Sequence, residues 1–351
     1  MSATDVIHIA GRPVGPGHRP FVIAEMSGNH NGDIARALAL LDAARAAGAD
    51  AVKLQTYTAD TITIDSDRPE FLIADGPWKG RRLHELYGEA HTPWEWHEQL
   101  FAHAAKIGIA IFSTPFDDTA VDLLERLGAP AYKIASFEMI DLPLVARVAR
   151  VGKPMIVSTG MASLDEIGEA VETARANGCR ELVLLHCVSS YPSPIEETNL
   201  RRIPELARRF GVHAGLSDHS MGLTVPIAAT TLGAVAIEKH FTLARADGGV
   251  DSAFSLEKEE LADMVRAVSD AHAALGDGVF RRAAAEEGSV TFRRSLFVVE
   301  DVPEGAEITR ANVRSIRPGY GLAPKHLPEV LGRRARRPLS RGEPLAWDML
   351  G

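Results

Sequence analysis

Two lysines and two histidines sit where apolar runs of this chain are interrupted or end: Lys53 in AVKLQ, Lys133 in YKIAS, His219 after AGLSD and His240 in VAIEKH. A buried ammonium persists only where an anion answers it, because desolvating an unpaired charge is strongly unfavourable. Two such lysines, with Ser113, Thr114, Ser136, Ser158, Thr159 and Ser217 around them, would cradle a phosphate and a carboxylate. The plainer alternative is a pair of structural ion pairs with core acids, Glu25 or Glu138. Imidazoles on neighbouring strand ends can reach one metal ion, and the alternative for each is a hydrogen-bonded core histidine. Glu238, two residues before His240, shares its strand face. Two protein ligands leave positions for water and substrate, and a nitrogen- and oxygen-rich set suits manganese, magnesium or a similar divalent ion. Glu25 ends FVIAE and leads into MSGNHNGD. Beside lysines and a metal it could serve as general base or acid, or simply pair with Lys53. His30 and Asn31 belong to a loop that either contacts substrate or only turns. Cys187, closing LVLLHC, reads as packed core and not as a nucleophile.

Elements must bring these residues to one place. Eight short apolar runs recur over the first 240 residues and end in polar groups: Glu25, Lys53 with Gln55, Ser113 with Thr114, Lys133 with Ser136, Ser158, Cys187, Ser217 to His219, and His240. Amphipathic stretches alternate with them, among them Ile34–Ala47, Trp94–Ile107, Thr119–Leu127 and Leu142–Val151. Glycine follows each helical stretch, at Gly48, Gly108, Gly128, Gly152, Gly178, Gly211 and Gly233, as a left-handed C-terminal cap requires. Alternating strands and helices build a parallel sheet, and eight strands close into a (β/α)8 TIM barrel whose chemistry gathers at the carboxyl ends. Leu261, Met264, Val265, Val268 and Leu275 carry the period of a last barrel helix, and VIHIAGRPVG reads as a hairpin capping the barrel floor. A long insertion lies between Thr56 and Trp94, where a βα loop over an active face binds something or is mere decoration.

The 351 residues suit a barrel of about 250 residues plus a smaller unit. The expected division is a catalytic barrel over 1–278, a linker over 279–291 and a β-rich domain over 292–351, broken by Pro303, Gly305, Pro318, Gly319 and Gly321. No apolar run approaches the ~20 residues of a membrane helix, and MSATDVIHIAGRPVG lacks the pattern of a secretory signal. With only Cys179 and Cys187, no disulfide framework is implied and a reducing cytoplasm fits. The net charge of −9 argues against a nucleic-acid partner. Residues 292–351 hold 11 basic against 7 acidic side chains, so a basic tail module accompanies an acidic body. Docking of one on the other is expected, the alternative being a solvated basic face at Arg333, Arg334, Arg336 and Arg337.

The motifs FVIAEMSGNHNGD, DAVKLQTYTADTITID, ELYGEAHTPWEWH, STPFD, YKIASFE, IVSTGMAS, LLHCVSSYPSP, GLSDHS, IEKHFTL and DSAFSL, in order from about Phe21, resemble the sialic acid synthase family. SIRPGYGL looks like that family's C-terminal antifreeze-like (SAF) domain. TYTADTITIDSD, LYGEAHTPWEWH and SSYPSP are most similar to its pseudaminic acid synthase branch, as are Met26 and Ser27 in place of Ile-Gly.

The resemblance implies a transferase that condenses phosphoenolpyruvate, an acetamido-deoxyhexose and water into a nine-carbon 2-keto acid and phosphate. For this branch the sugar is 2,4-diacetamido-2,4,6-trideoxy-L-altrose. The reaction breaks the C–O bond of phosphoenolpyruvate and uses a divalent metal. By motif position His219 and His240 match the metal ligands and Glu25 the acid/base. Lys53, Thr114, Lys133, Ser136, Ser158 and Ser217 match phosphoenolpyruvate contacts. Gln55 joins the substrate set, as does Ser189, which stands where the sialic-acid branch has asparagine. Tyr191, Glu138 and, in a less well matched stretch, Asp251 fall where the sugar is held. Arg317 matches an arginine lent to the partner's barrel in a domain-swapped homodimer. The metal would polarise the sugar aldehyde as a Lewis acid. A sister enzyme making N-acetylneuraminic or legionaminic acid is the nearest rival. A Schiff-base aldolase or heptulosonate-type synthase and a non-catalytic carbohydrate-binding protein are remoter ones.

Overall fold

The computed structural model describes residues 6–351; the first five positions, part of the N-terminal stretch read for a signal, lie outside the described residues. Two compact units emerge, one ending at Gly276 and one running from Asp277 to Gly351.

In the first unit the hairpin β1 (Ile7–Ile9) and β2 (Arg12–Val14) is followed by β3 (Phe21–Glu25), β4 (Ala51–Thr56), β5 (Ala110–Pro115) and β6 (Tyr132–Ile134). Then come β7 (Met155–Ser158), β8 (Leu182–Cys187), β9 (His213–Asp218) and β10 (Ala236–His240). The last eight close into a parallel barrel in the order β10-β3-β4-β5-β6-β7-β8-β9. The expected barrel is therefore present. All seven glycines named above adopt positive φ, from 60° at Gly211 to 97° at Gly178, and so release the chain from each helix towards the next strand. Helix starts are set by side chains: Asp117 accepts the Thr119 and Ala120 N–H groups, and Ser163 with Glu166 forms a capping box.

The strand period separates two layers inside the barrel. Phe21 and Ile23 lie below Glu25, Ala51 below Lys53, and Ala236 below Glu238, with alternate residues on the same face. The lower residues join Phe112, Ile156, Val183 and Leu185 in an apolar cluster that also takes in Ile7, Ile9 and Val14 of the hairpin. The floor is thus plugged, and chemistry is confined to the carboxyl end. A larger cluster packs the helices against the outer strand face. The final barrel helix, Lys258–Leu275, buries Leu261, Met264 and Val268, whereas Leu275, its last residue, is exposed. No helix among the described residues is long and apolar enough to cross a membrane.

The second unit contains an antiparallel pair, β11 (Ser295–Val298) and β12 (Val313–Ile316), after a 3-10 segment over Ala284–Phe292. Regular strand is scarcer than a β-rich reading suggests. Isolated bridges such as Val302–Leu339 and Ala335–Leu350 hold irregular chain around a small core of Leu296, Val298, Ile308 and Leu345.

Candidate active site

Strand register brings the acidic and basic side chains together. Glu25 lies beside Lys53 in the β3–β4 ladder, and Glu238 beside Ser217 in the β10–β9 ladder. Glu25, Lys53, Lys133 and Glu238 are 1–4% exposed. Lys53 Nζ stands 3.2 Å from Glu25 Oε2 and 2.9 Å from Glu238 Oε1. Lys133 Nζ donates to the same Glu238 Oε1 at 3.0 Å, and Ser217 Oγ donates to it at 3.0 Å. Gln55 Nε2 donates to Glu25 Oε1 at 3.0 Å. The sequence reading offered Glu25 or Glu138 as the internal partners. Glu25 is one of them, but the acid that binds both lysines is Glu238, and Glu138 forms no ion pair with either among the described residues.

Burial and charge then shape each group. Burial raises the Glu25 carboxyl to about 7 against the opposing pull of Lys53. Burial also raises Glu238, yet Lys133 and Lys53 outweigh it and hold that carboxylate well below the ordinary range. Lys133 falls to about 8, since burial and the repulsion of Lys53 exceed the attraction of Glu238. Lys53 faces two carboxylates, and their pull overcomes burial and carries it upward.

His219 and His240 open beside this cluster, their ring centroids 5.3 Å apart. His219 Nδ1 faces the Val188 carbonyl at 3.0 Å, which can only accept, so the free lone pair is on Nε2. His240 Nδ1 is buried with no partner, and burial together with His219 holds its pKa well below the ordinary value. Two neutral-capable imidazole nitrogens, one fixed by a backbone carbonyl, are a fitting donor set for a divalent ion that keeps open positions. No third histidine, cysteine, aspartate or glutamate completes a metal cluster among the described residues.

Unpartnered buried polar atoms concentrate here. Thr114 Oγ1, Glu138 Oε2, Ser158 Oγ, Glu238 Oε2 and His240 Nδ1 have no hydrogen-bond partner, and Glu25 Oε2 has only the Lys53 ammonium, 3.2 Å away. Natural interiors satisfy nearly all such atoms, so a group of them in one barrel mouth is the mark of a surface made for a polar ligand. Ser136 Oγ accepts the Gly160 N–H at 3.1 Å, and Ser189 Oγ lies 3.7 Å from Cys187 Sγ. A Cβ at Gly160 would come within 2.3 Å of Ser189 Oγ and 2.8 Å of Ser136 Oγ, so any larger residue there would have to displace both hydroxyls. Burial raises the Glu138 carboxyl to about 7. Asp251 is buried and takes a short hydrogen bond from Ser27 Oγ.

An aromatic wall faces the histidines. The Tyr191 ring lies 4.3 Å from His219 and 5.1 Å from Phe254, and Phe254 lies 5.1 Å from His240. Trp78 arrives from the long insertion, 5.7 Å from Tyr191, and its Nε1 donates to the Val250 carbonyl at 2.8 Å. The insertion is therefore more than decoration. Trp78 and Phe254 are not expected at the site from sequence because nothing in their local spacing marks them, and Ser27 is singled out only for its resemblance to the family branch. Cys187 is buried as expected, yet its sulfur also contacts His219 Nδ1 at 3.8 Å. Arg317 lies in the second unit, with its side chain exposed.

A family model described as the NeuB family matches residues 40–280, and one described as the SAF domain matches residues 293–351. A pseudaminic acid synthase of Campylobacter jejuni is 44% identical over 325 residues, 93% of this chain and 95% of that protein. One of Helicobacter pylori is 44% identical over 330 residues, 94% of this chain and 97% of that protein. The solved structure of N-acetylneuraminic acid (sialic acid) synthetase from Leptospira borgpetersenii, in complex with citrate, superposes with a TM-score of 0.73 at 32% identity, covering 82% of this chain and 95% of that one.

Proposed function

The chain belongs to the NeuB family, and from that premise we propose that it is a pseudaminic acid synthase, an enzyme joining phosphoenolpyruvate to 2,4-diacetamido-2,4,6-trideoxy-L-altrose. The observation that carries the chemistry is the convergence of Lys53 and Lys133 on one buried oxygen beside His219 and His240. The 44% identity to pseudaminic acid synthases over 93% of the chain supports this choice of sugar.

In this reading Lys53 and Lys133 receive the phosphate and carboxylate charges, with Thr114, Ser136, Ser158, Ser189 and Ser217 supplying hydroxyls. Gln55, Glu138, Tyr191 and Asp251 hold the sugar. The π electrons of phosphoenolpyruvate form the bond from C3 to the aldehyde carbon, whose oxygen takes a proton from solvent. Glu25, ionised above its raised pKa, accepts a proton from water as that water adds to C2. The tetrahedral adduct then collapses to the ketone: the bond from C2 to the phosphate oxygen breaks, phosphate departs with that oxygen and the electron pair, and the C2 hydroxyl passes its proton to the departing phosphate. Fixed charge placed where charge develops is the main source of rate. His219 and His240 would hold a divalent ion, manganese or magnesium, that supplies Lewis-acid polarisation of the aldehyde.

The functional division proposed is a catalytic barrel over 1–278, a connector over 279–291 and an antifreeze-like domain over 292–351. A homodimer, with Arg317 of each chain serving the other chain's barrel, completes the reading. Phe137, Ile140, Met161, Ile195 and Met221, exposed apolar side chains on loops after β6 to β9, support a covered face there.

The deciding experiment supplies phosphoenolpyruvate with the trideoxy-altrose, with 2,4-diacetamido-2,4,6-trideoxy-mannose, or with N-acetylmannosamine, and follows phosphate release and product mass. Preference for the first sugar is expected; preference for N-acetylmannosamine would overturn the assignment.

A further inference from the structure

Lys239 stands between Glu238 and His240, so its side chain leaves the opposite face of β10, behind the site. It is among the largest fully buried side chains of the molecule. Asp218 lies directly across from it in β9. Lys239 Nζ donates to Asp218 Oδ2 at 2.5 Å and to the Ser220 carbonyl, and its third neighbour is the Gly222 carbonyl at 3.5 Å. Asp218 Oδ1 accepts the Ser220 N–H at 2.9 Å. An ammonium has three N–H donors and no acceptor, and here three oxygens receive them. The chain leaving β9 therefore wraps one buried cation within residues 218–222, and His219 is the second residue of that wrap.

Each member of the pair immediately precedes one of the two imidazoles: Asp218 precedes His219, and Lys239 precedes His240. The Ser193 N–H, bonded to the His219 carbonyl at 3.0 Å, adds a further tether to the same turn. We propose that the Lys239–Asp218 pair is a positioning device for the two histidines, setting their separation from the outer side of the barrel wall. A buried ion pair adds little stability over a well-packed apolar pair, so stabilisation alone is a weak reason for its presence. Its position is informative: it ties the ends of the two strands that carry the imidazoles, at the point where β9 gives way to irregular chain and its ladder to β10 stops. Neither residue touches the barrel interior, which makes both of them positioning and not catalytic residues. The inference rests on the reading of His219 and His240 as holders of a divalent ion.

The test is Mn2+ affinity, measured by titration with the free-ion electron paramagnetic resonance signal on the full chain. The variants are Lys239→Met/Asp218→Asn, which removes both charges together, and Asp218→Asn alone, which keeps shape and the Ser220 contact. Loss of support behind a metal ligand weakens affinity by about ten- to a hundredfold, and the double variant is expected to fall in that range while retaining a cooperative melt. A pair with only a structural role would lower the melting temperature and leave Mn2+ affinity of the folded protein unchanged. Unchanged affinity in a folded double variant overturns the proposal. Should the double variant not fold, Asp218→Asn decides: weakened Mn2+ binding supports the proposal, and binding as tight as that of the unaltered chain overturns it. His240→Ala separates the two levels. If it binds Mn2+ as well as the unaltered chain, the metal reading itself fails, and the positioning role falls with it.

Discussion

Lys53 and Lys133 meet on a single atom: Glu238 Oε1 lies 2.9 Å from one ammonium and 3.0 Å from the other, while Glu238 Oε2 is buried with no hydrogen-bond partner. Glu238 thus anchors both ammoniums while Glu25 pairs with Lys53 alone, so Lys133, which shares its one carboxylate partner among the described residues, keeps more of its charge for a substrate. An acidic protein can in this way attract a small trianion to one point while its overall charge stays at −9.

Glu238→Gln exposes that arrangement. Lys53 then keeps Glu25 while Lys133 loses its ion-pair partner, and breaking a buried pair in this way costs about 3–5 kcal/mol of stability. A marked fall in melting temperature is expected, partly reversed by added phosphoenolpyruvate, whose binding to the folded state contributes stability of its own. Thermal melts with and without the ligand check this; a variant as stable as the parent would contradict it.

Lys133→Met removes one arm of the well and leaves the sugar wall intact. Losing one partner of a desolvated charge contact costs about 2–5 kcal/mol. KM for phosphoenolpyruvate should rise steeply, or turnover vanish, with little change in binding of the sugar by itself. Equal weakening towards both substrates would show that Lys133 is a scaffold residue.

Glu25 predicts the shape of the pH profile. Its carboxyl is raised to about 7, chiefly by burial. The ionised form accepts the proton, so kcat/KM should decline as pH falls through that value, and decline again above about 8 as Lys133 loses the charge that binds phosphoenolpyruvate. Glu25→Gln should lose turnover at every pH. A rate that instead climbs on the acid side would assign Glu25 the acid role.

Trp78→Ala removes the insertion's contribution to the aromatic wall beside Tyr191 and Phe254. KM for the trideoxy sugar is expected to rise about tenfold, equivalent to about 1.4 kcal/mol, with KM for phosphoenolpyruvate unchanged. Parallel kinetics on the two substrates provide the comparison.

Metal removal should abolish phosphate release, and Mn2+ or Mg2+ should restore it. His219→Ala and His240→Ala should resist restoration because the donor nitrogens are gone. Activity surviving exhaustive chelation would remove the divalent ion from the reaction.

Local chemistry along the chain determined the periodic framework and the family. Strand period, helix caps and the glycines at Gly48, Gly108, Gly128, Gly152, Gly178, Gly211 and Gly233 are each decided by a few neighbouring residues, so the barrel could be read directly. The same period marked Glu25, Lys53, Lys133 and His240 as strand residues facing one end. Barrel closure decided who partners whom. Lys133 on β6 stands four strands from β10 in either direction around the ring, and its long side chain crosses the interior to Glu238, a residue 105 positions away in sequence. Nothing near Lys133 in the chain announces that contact. Trp78 and Phe254 became members of the wall in the same way, through loops folded over the mouth. Lys239 became the backing of the histidines because a side chain on the far face of a strand meets only what the helical layer and the next turn bring to it.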